Sequence, residues 1–96
     1  MVAMHAAALR FELWIPDSQS LKAKRAAVRP IVDGLRHRLK VSVAEVDHQD
    51  TWQRATIAIA YVSADGQHAK EVVDKALDFI ENTVEGQVLE TFVEIL

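Results

Sequence analysis

Seven basic residues fall between Ser18 and Lys40, and Asp33 is the one acid among them, giving that segment a charge of +6. Counted at about 100° per residue from Leu21, Arg25, Arg36, Arg29, Lys22 and Lys40 lie at about 40°, 60°, 80°, 100° and 100° on a helical wheel. They form one stripe beside an apolar face. At about 1.5 Å per residue the stripe runs along about 27 Å of helix, long enough to follow a phosphate backbone. Arginine forks onto phosphate oxygens better than lysine does. Lys22, Arg25, Arg29, Arg36 and Lys40 are therefore the candidate site for nucleic acid or another anionic partner, with Lys24 and Arg38 on the other flank. Two plainer readings stand beside this one. Long cationic side chains snorkel around a core edge and stay in water. Acids of a partner protein or a second subunit would suit the stripe equally well.

A second group is the stretch Asp47-His48-Gln49-Asp50, with Glu45 just before it. Two carboxylates and an imidazole could bind a divalent ion or exchange protons. No HxxxH or DxDxDG spacing accompanies them, and such residues are ordinary turn formers. Glu45 shares a strand face with Val41 and Val43, so it needs a cation such as Arg54 across the hairpin. His5, His37 and His68 are scattered. Trp14, Trp52 and Tyr61 could stack bases, but no aromatic-glycine signature of an RNA-recognition sheet is present. Three scattered glycines form no phosphate cradle. No metal, cofactor, catalytic residue or small-molecule substrate is expected.

Cysteine is absent, which removes disulfides, thiolate metal sites and cysteine nucleophiles, and favours a reducing, cytoplasmic setting. No apolar run approaches the about 20 residues that span a bilayer. Met1 to Ala8 lacks a basic start and is interrupted by Arg10 and Glu12, unlike a signal peptide. The net charge of −3 hides a segregation, since Val41 to Leu96 carries eleven acids against three bases, or −8. Binding follows local potential, so the total does not exclude nucleic acid. The opposite halves could equally attract each other.

These side chains must be positioned by a 96-residue chain, a length that predicts one domain over residues 1–96. Leu9, Phe11, Leu13 and Ile15 alternate with Ala8, Arg10, Glu12 and Trp14, which reads as a strand ended by Pro16. Ser18 or Ser20 can cap a helix carrying Leu21, Val28, Ile31, Val32, Leu35 and Leu39 on one face. Pro30 and Gly34 fall away from that face, predicting a kinked helix, with two shorter helices as second choice. Val41 to Val46 and Trp52 to Ser63 pair as a hairpin around Asp47 to Thr51. Ser63 or Asp65 can cap a second helix that turns Ala69, Val72, Val73, Ala76, Leu77 and Ile80 inward. Its opposite row, Glu71, Asp74, Asp78 and Glu81, reads as a solvated face. Gly86 marks a turn, and Val88 to Ile95 is a last strand. The order β-α-β-β-α-β gives an α+β, ferredoxin-like plait, a four-stranded antiparallel sheet with both helices on one face.

In the third strand Thr56, Ala58, Ala60 and Val62 alternate with Ala55, Ile57, Ile59 and Tyr61, so both faces are largely apolar. Two helices cover one face only. An apolar open face predicts a homodimer. The plainer alternative is that alanines are tolerated at the surface.

Four stretches carry a family resemblance. Ser20-Leu21-Lys22-Ala23-Lys24-Arg25 is similar to an SLKEKR helix start, and Val41-Ser42-Val43-Ala44-Glu45-Val46 to an NVSVAEV strand. Trp52-Gln53-Arg54-Ala55 follows the same hairpin, and Val62-Ser63 ends the next strand. Together they resemble the YlxP-like family, a bacterial family of unknown function. The resemblance implies a ferredoxin-like fold and a gene often beside genes for ribosome maturation and translation initiation. It implies no activity, cofactor or catalytic residue. Ala23 departs from it, since the family commonly has an acid there, as do Pro30 and Gly34. The expectation is a non-enzymatic module associated with RNA or a ribosomal particle through its basic first helix. The alternative is a homodimeric protein-interaction or assembly module with no nucleic-acid role.

Overall fold

The computed structural model describes residues 3–95, so Met1, Val2 and Leu96 lie outside the described residues. Six elements follow in the expected order: β1 (His5–Trp14), α1 (Leu21–Leu39), β2 (Ser42–Asp47), β3 (Arg54–Ser63), α2 (Gly66–Thr83) and β4 (Gln87–Ile95). The sheet order is β2-β3-β1-β4 with every neighbour antiparallel, a ferredoxin-like plait. The alternation in β1 is what the core requires. Leu9, Phe11, Leu13 and Ile15 are buried against Ile57 and Ile59 of β3, and each large side chain contributes about 1.5–3 kcal/mol by leaving water.

Local chemistry sets the element ends. Ser20 caps α1, its Oγ accepting the Ala23 N–H at 3.0 Å, whereas Ser18 is buried in the preceding turn. Asp65, not Ser63, caps α2 by accepting the Gln67 and His68 N–H groups at 2.9 and 3.4 Å. Trp52 lies outside β3 and is exposed in the turn. α1 is one unbroken helix through Pro30, so the two-helix alternative does not hold. Pro30 is exposed, where its missing N–H and ring face away from the core.

Gly34 departs from the expectation of a free side. A Cβ there would overlap the ring of Phe79 on α2, so this glycine sits where the two helices meet. Gly86 is tighter still, because a Cβ would overlap the backbone carbonyl of Trp14. A phenyl ring can swing aside and a strand carbonyl cannot. Gly86→Ala is expected to cost about 1–3 kcal/mol, and Gly34→Ala less, since Ala also favours helix by about 1 kcal/mol. Urea titration of both variants checks the order.

β4 pairs with β1 along its length, yet only Val88 among its apolar residues is partly buried. Val93 and Ile95 sit opposite Leu9 and Ala7 on the helix side and remain exposed. The cause is lateral: α2 packs over β1 and β3, leaving β4 uncovered.

Candidate functional site

Lys22, Arg25, Arg29, Arg36 and Lys40 are all exposed. The structure gathers three of them: Arg25, Arg29 and Arg36 line an open groove of about 330 Å3 between α1 and the edge strand β2. Val28, Val32 and Val43 are its apolar lining, and the acids Asp33 and Glu45 line it as well. Lys22 lies outside that groove, one turn before Arg25. Lys40 leaves the stripe. α1 ends at Leu39, and Lys40 is its cap residue, with φ 54° and its N–H donating to the Arg36 carbonyl at 3.1 Å. A wheel angle has no meaning for a left-handed residue beyond the helix.

The cations also differ in what already holds them. Arg36 Nη2 donates to the Val43 carbonyl at 3.0 Å and its Nη1 lies 3.9 Å from Asp33, so this side chain clips α1 to β2. Among the described residues, no carboxylate oxygen lies within 4.0 Å of a side-chain nitrogen of Lys22, Arg25 or Arg29. Arg38, on the other side of the helix, stacks its guanidinium 5.2 Å from the Phe79 ring centre. Lys40→Gly relieves a left-handed backbone that costs a side chain about 1 kcal/mol. Its melting temperature is expected to rise by about 4–8 °C in a scanning calorimeter.

Lys24 corrects the sequence reading twice. It is no flanking surface cation but is 1% exposed, on the same buried face of α1 as Val28, Ile31 and Leu35. Its Nζ donates to the carbonyls of His48 at 2.6 Å, Gln49 at 3.3 Å and Arg54 at 3.3 Å, and lies 2.9 Å from Glu45 Oε2. Glu45 is therefore paired with Lys24, and Arg54 instead reaches toward Glu12, at 3.9 Å. An ammonium has three donors and tolerates burial only when they are used. Here one lysine ties the start of α1 to both ends of the β2–β3 turn. His48, whose carbonyl it binds, is in the left-handed conformation, φ 62°.

The loop Asp47 to Asp50 is absorbed by its own turn. Asp47 Oδ1 accepts the His48 N–H at 2.8 Å, and the Thr51 N–H donates to the His48 carbonyl at 3.0 Å. Among the described residues, no group of three or more His, Asp or Glu side chains is arranged to hold a metal ion.

A polar cluster on the open sheet face escaped the sequence reading. Glu12 of β1 accepts from Thr56 Oγ1 at 2.8 Å, with Arg10 Nε at 3.8 Å, His48 Nε2 at 3.7 Å and Arg54 Nη2 at 3.9 Å. The register put this within reach, since Glu12 sits directly opposite Thr56. That pairing needs the β1–β3 alignment, which spacing alone does not supply. Trp14 and Trp52 are exposed, while Tyr61 is half-buried with its ring edge-on to His68 at 5.8 Å.

The model of a family described as a protein of unknown function, DUF503, matches residues 6–93. The chain belongs to that family. The uncharacterized protein YlxP of Bacillus subtilis (strain 168) is 37% identical to this DUF503 chain over 71 residues, 74% of it and 77% of YlxP. The expected YlxP-like resemblance thus holds at the level of the family, and the family description assigns no activity to carry over. Solved structures add the fold alone. The designed protein Foldit4 aligns with TM-score 0.60 at 14% identity, over 97% of this chain and 96% of its own. A C-terminal segment of the alpha subunit of aIF2 from Pyrococcus abyssi aligns with TM-score 0.53 at 18% identity, over 100% of this chain and 51% of that one. No helix among the described residues is long and apolar enough to cross a membrane.

Proposed function

We propose that this DUF503 protein is a non-enzymatic cytoplasmic module that docks onto RNA or a ribosomal particle through α1. The observation that carries the reading is the set of Lys22, Arg25 and Arg29, exposed along one flank of the helix with no carboxylate of the described residues within salt-bridge reach. A cation already neutralised gains little from a phosphate, whereas an unpaired exposed one releases phosphate counterions on contact. Arg36 borders the same groove, and Lys40 extends the positive surface past the helix end. The recognition is of backbone charge and shape, with no base-specific element argued. The ribosomal leaning comes from the gene context that the family resemblance implies.

The reading is tested by co-sedimentation with purified ribosomal subunits through a sucrose gradient at about 50 and 300 mM salt. Co-migration at the lower salt and release at the higher is expected. Absence from the subunit fractions at the lower salt contradicts it. Co-migration unchanged at the higher salt would point to the protein-interaction alternative.

A further inference from the structure

We infer that the open face of the sheet is the contact surface for a second copy of this chain, related by a two-fold axis parallel to the strands. The inference rests on none of the α1 cations. The face carries exposed apolar side chains, with Val62 64% and Phe92 50% exposed. Ala8, Ala44, Ala58, Ala60 and Ser42 floor an open trough of about 410 Å3 that Phe92 borders. The Arg10 guanidinium lies over the Phe92 ring, 5.3 Å from its centre.

The occupant follows from the register. Read across the sheet from β2 to β4, one row is Ala44, Ala58, Arg10, Phe92. A two-fold parallel to the strands lays this row over its own reverse. Phe92 of one copy then covers Ala44 of the other, and Arg10 covers Ala58. The next row is Ser42, Ala60, Ala8, Glu94, so Glu94 meets Ser42, a carboxylate on a hydroxyl, and Ala8 meets Ala60. Beyond it Val62 and Ala6 pair, and reversal again sets large on small. Self-complementarity of this kind is what an isologous interface requires of one patch. The row of Asp47, Thr56, Glu12 and Glu90 fits worse, since Glu90 approaches Asp47. Asp47 and Glu90 are both exposed and lie on the two edge strands, so these contacts fall at the rim of the interface, where carboxylates stay in water.

The area agrees. Strands of 10, 10, 9 and 6 residues, at about 3.3 Å per residue and about 4.8 Å apart, cover roughly 550 Å2 in plan. Side-chain relief brings this toward the about 800 Å2 per partner of a standard interface. An alanine floor also lets the two backbones approach closely.

The absence of cysteine makes the test direct. Within one chain Ala44 and Phe92 are three strand spacings apart, about 14 Å, with side chains pointing the same way. Across the proposed interface their side chains point at each other over the about 10 Å between packed sheets, too far for a direct disulfide but within reach of a short thiol-to-thiol cross-linker. The double variant Ala44→Cys/Phe92→Cys, treated with dibromobimane at low micromolar concentration, is expected to run as a covalent dimer on a denaturing gel. The control Ala44→Cys/Val93→Cys, with Val93 on the helix side, is expected to stay monomeric on that gel. Failure of the first pair to link overturns the inference, whether the native chain sediments as a monomer or as a dimer built elsewhere, for example along β4. Equal linking in the control overturns it as well.

Discussion

Lys24→Met is expected to lower folding stability by about 3–5 kcal/mol, since it leaves the part-buried Glu45 carboxylate and three carbonyls without their shared donor. That is a large part of the about 5–15 kcal/mol available to a small domain, so the melting temperature should fall by roughly 15 °C or more. The packing volume is nearly kept, so the loss reports polar satisfaction rather than a cavity. Adding Glu45→Leu is expected to recover part of it, because no unpaired charge then remains. The turn carbonyls would still lack a donor, so recovery is incomplete. Guanidinium titration of the native, single and double variants measures all three. A loss under about 1 kcal/mol for Lys24→Met contradicts the structural role assigned to this lysine. Lys70→Met serves as the surface comparison and is expected to stay within about 0.5 kcal/mol.

Replacing Lys22, Arg25 and Arg29 together by glutamine is expected to have the opposite signature. All three are exposed, so stability should stay within about 0.5 kcal/mol per site. Binding to ribosomal RNA should weaken roughly 3- to 150-fold at low salt, from about 0.2–1 kcal/mol for each exposed ion pair. The slope of log K against log salt should fall by about 3, one for each phosphate contact removed. Arg36 is left in place because its bond to the Val43 carbonyl would mix a folding effect into the result. A variant that binds as tightly as the native chain, with the same slope, removes α1 from the docking account.

Most of the fold was legible because burial enforces periodicity. β1 can bury Leu9, Phe11 and Leu13 only by alternating, and the order of elements then leaves few topologies. Lys24 was misplaced although its wheel position, at about 300°, lies inside the apolar stripe. Its type spoke for the surface, and what reverses that is a ring of carbonyls brought by a turn more than twenty residues away. Glu45 was matched to Arg54 for the same reason. Local spacing offers the hairpin neighbour, whereas the nearer cation arrives through packing of α1. Lys40 was counted on a helix that had already ended. For Gly34, one helix read alone cannot reveal where Phe79 of the other will press. β4 alternates as a strand should, but nothing in that alternation says that α2 stops short of it.

The most direct measurement is a fluorescence anisotropy titration of the native protein against labelled ribosomal RNA at four or five salt concentrations between about 50 and 200 mM. Three to five phosphate contacts from α1 predict a straight line of log K against log salt with a slope of about −3 to −5. A flat line, or no binding at the lowest salt, would contradict the proposal that these cations meet a phosphate backbone.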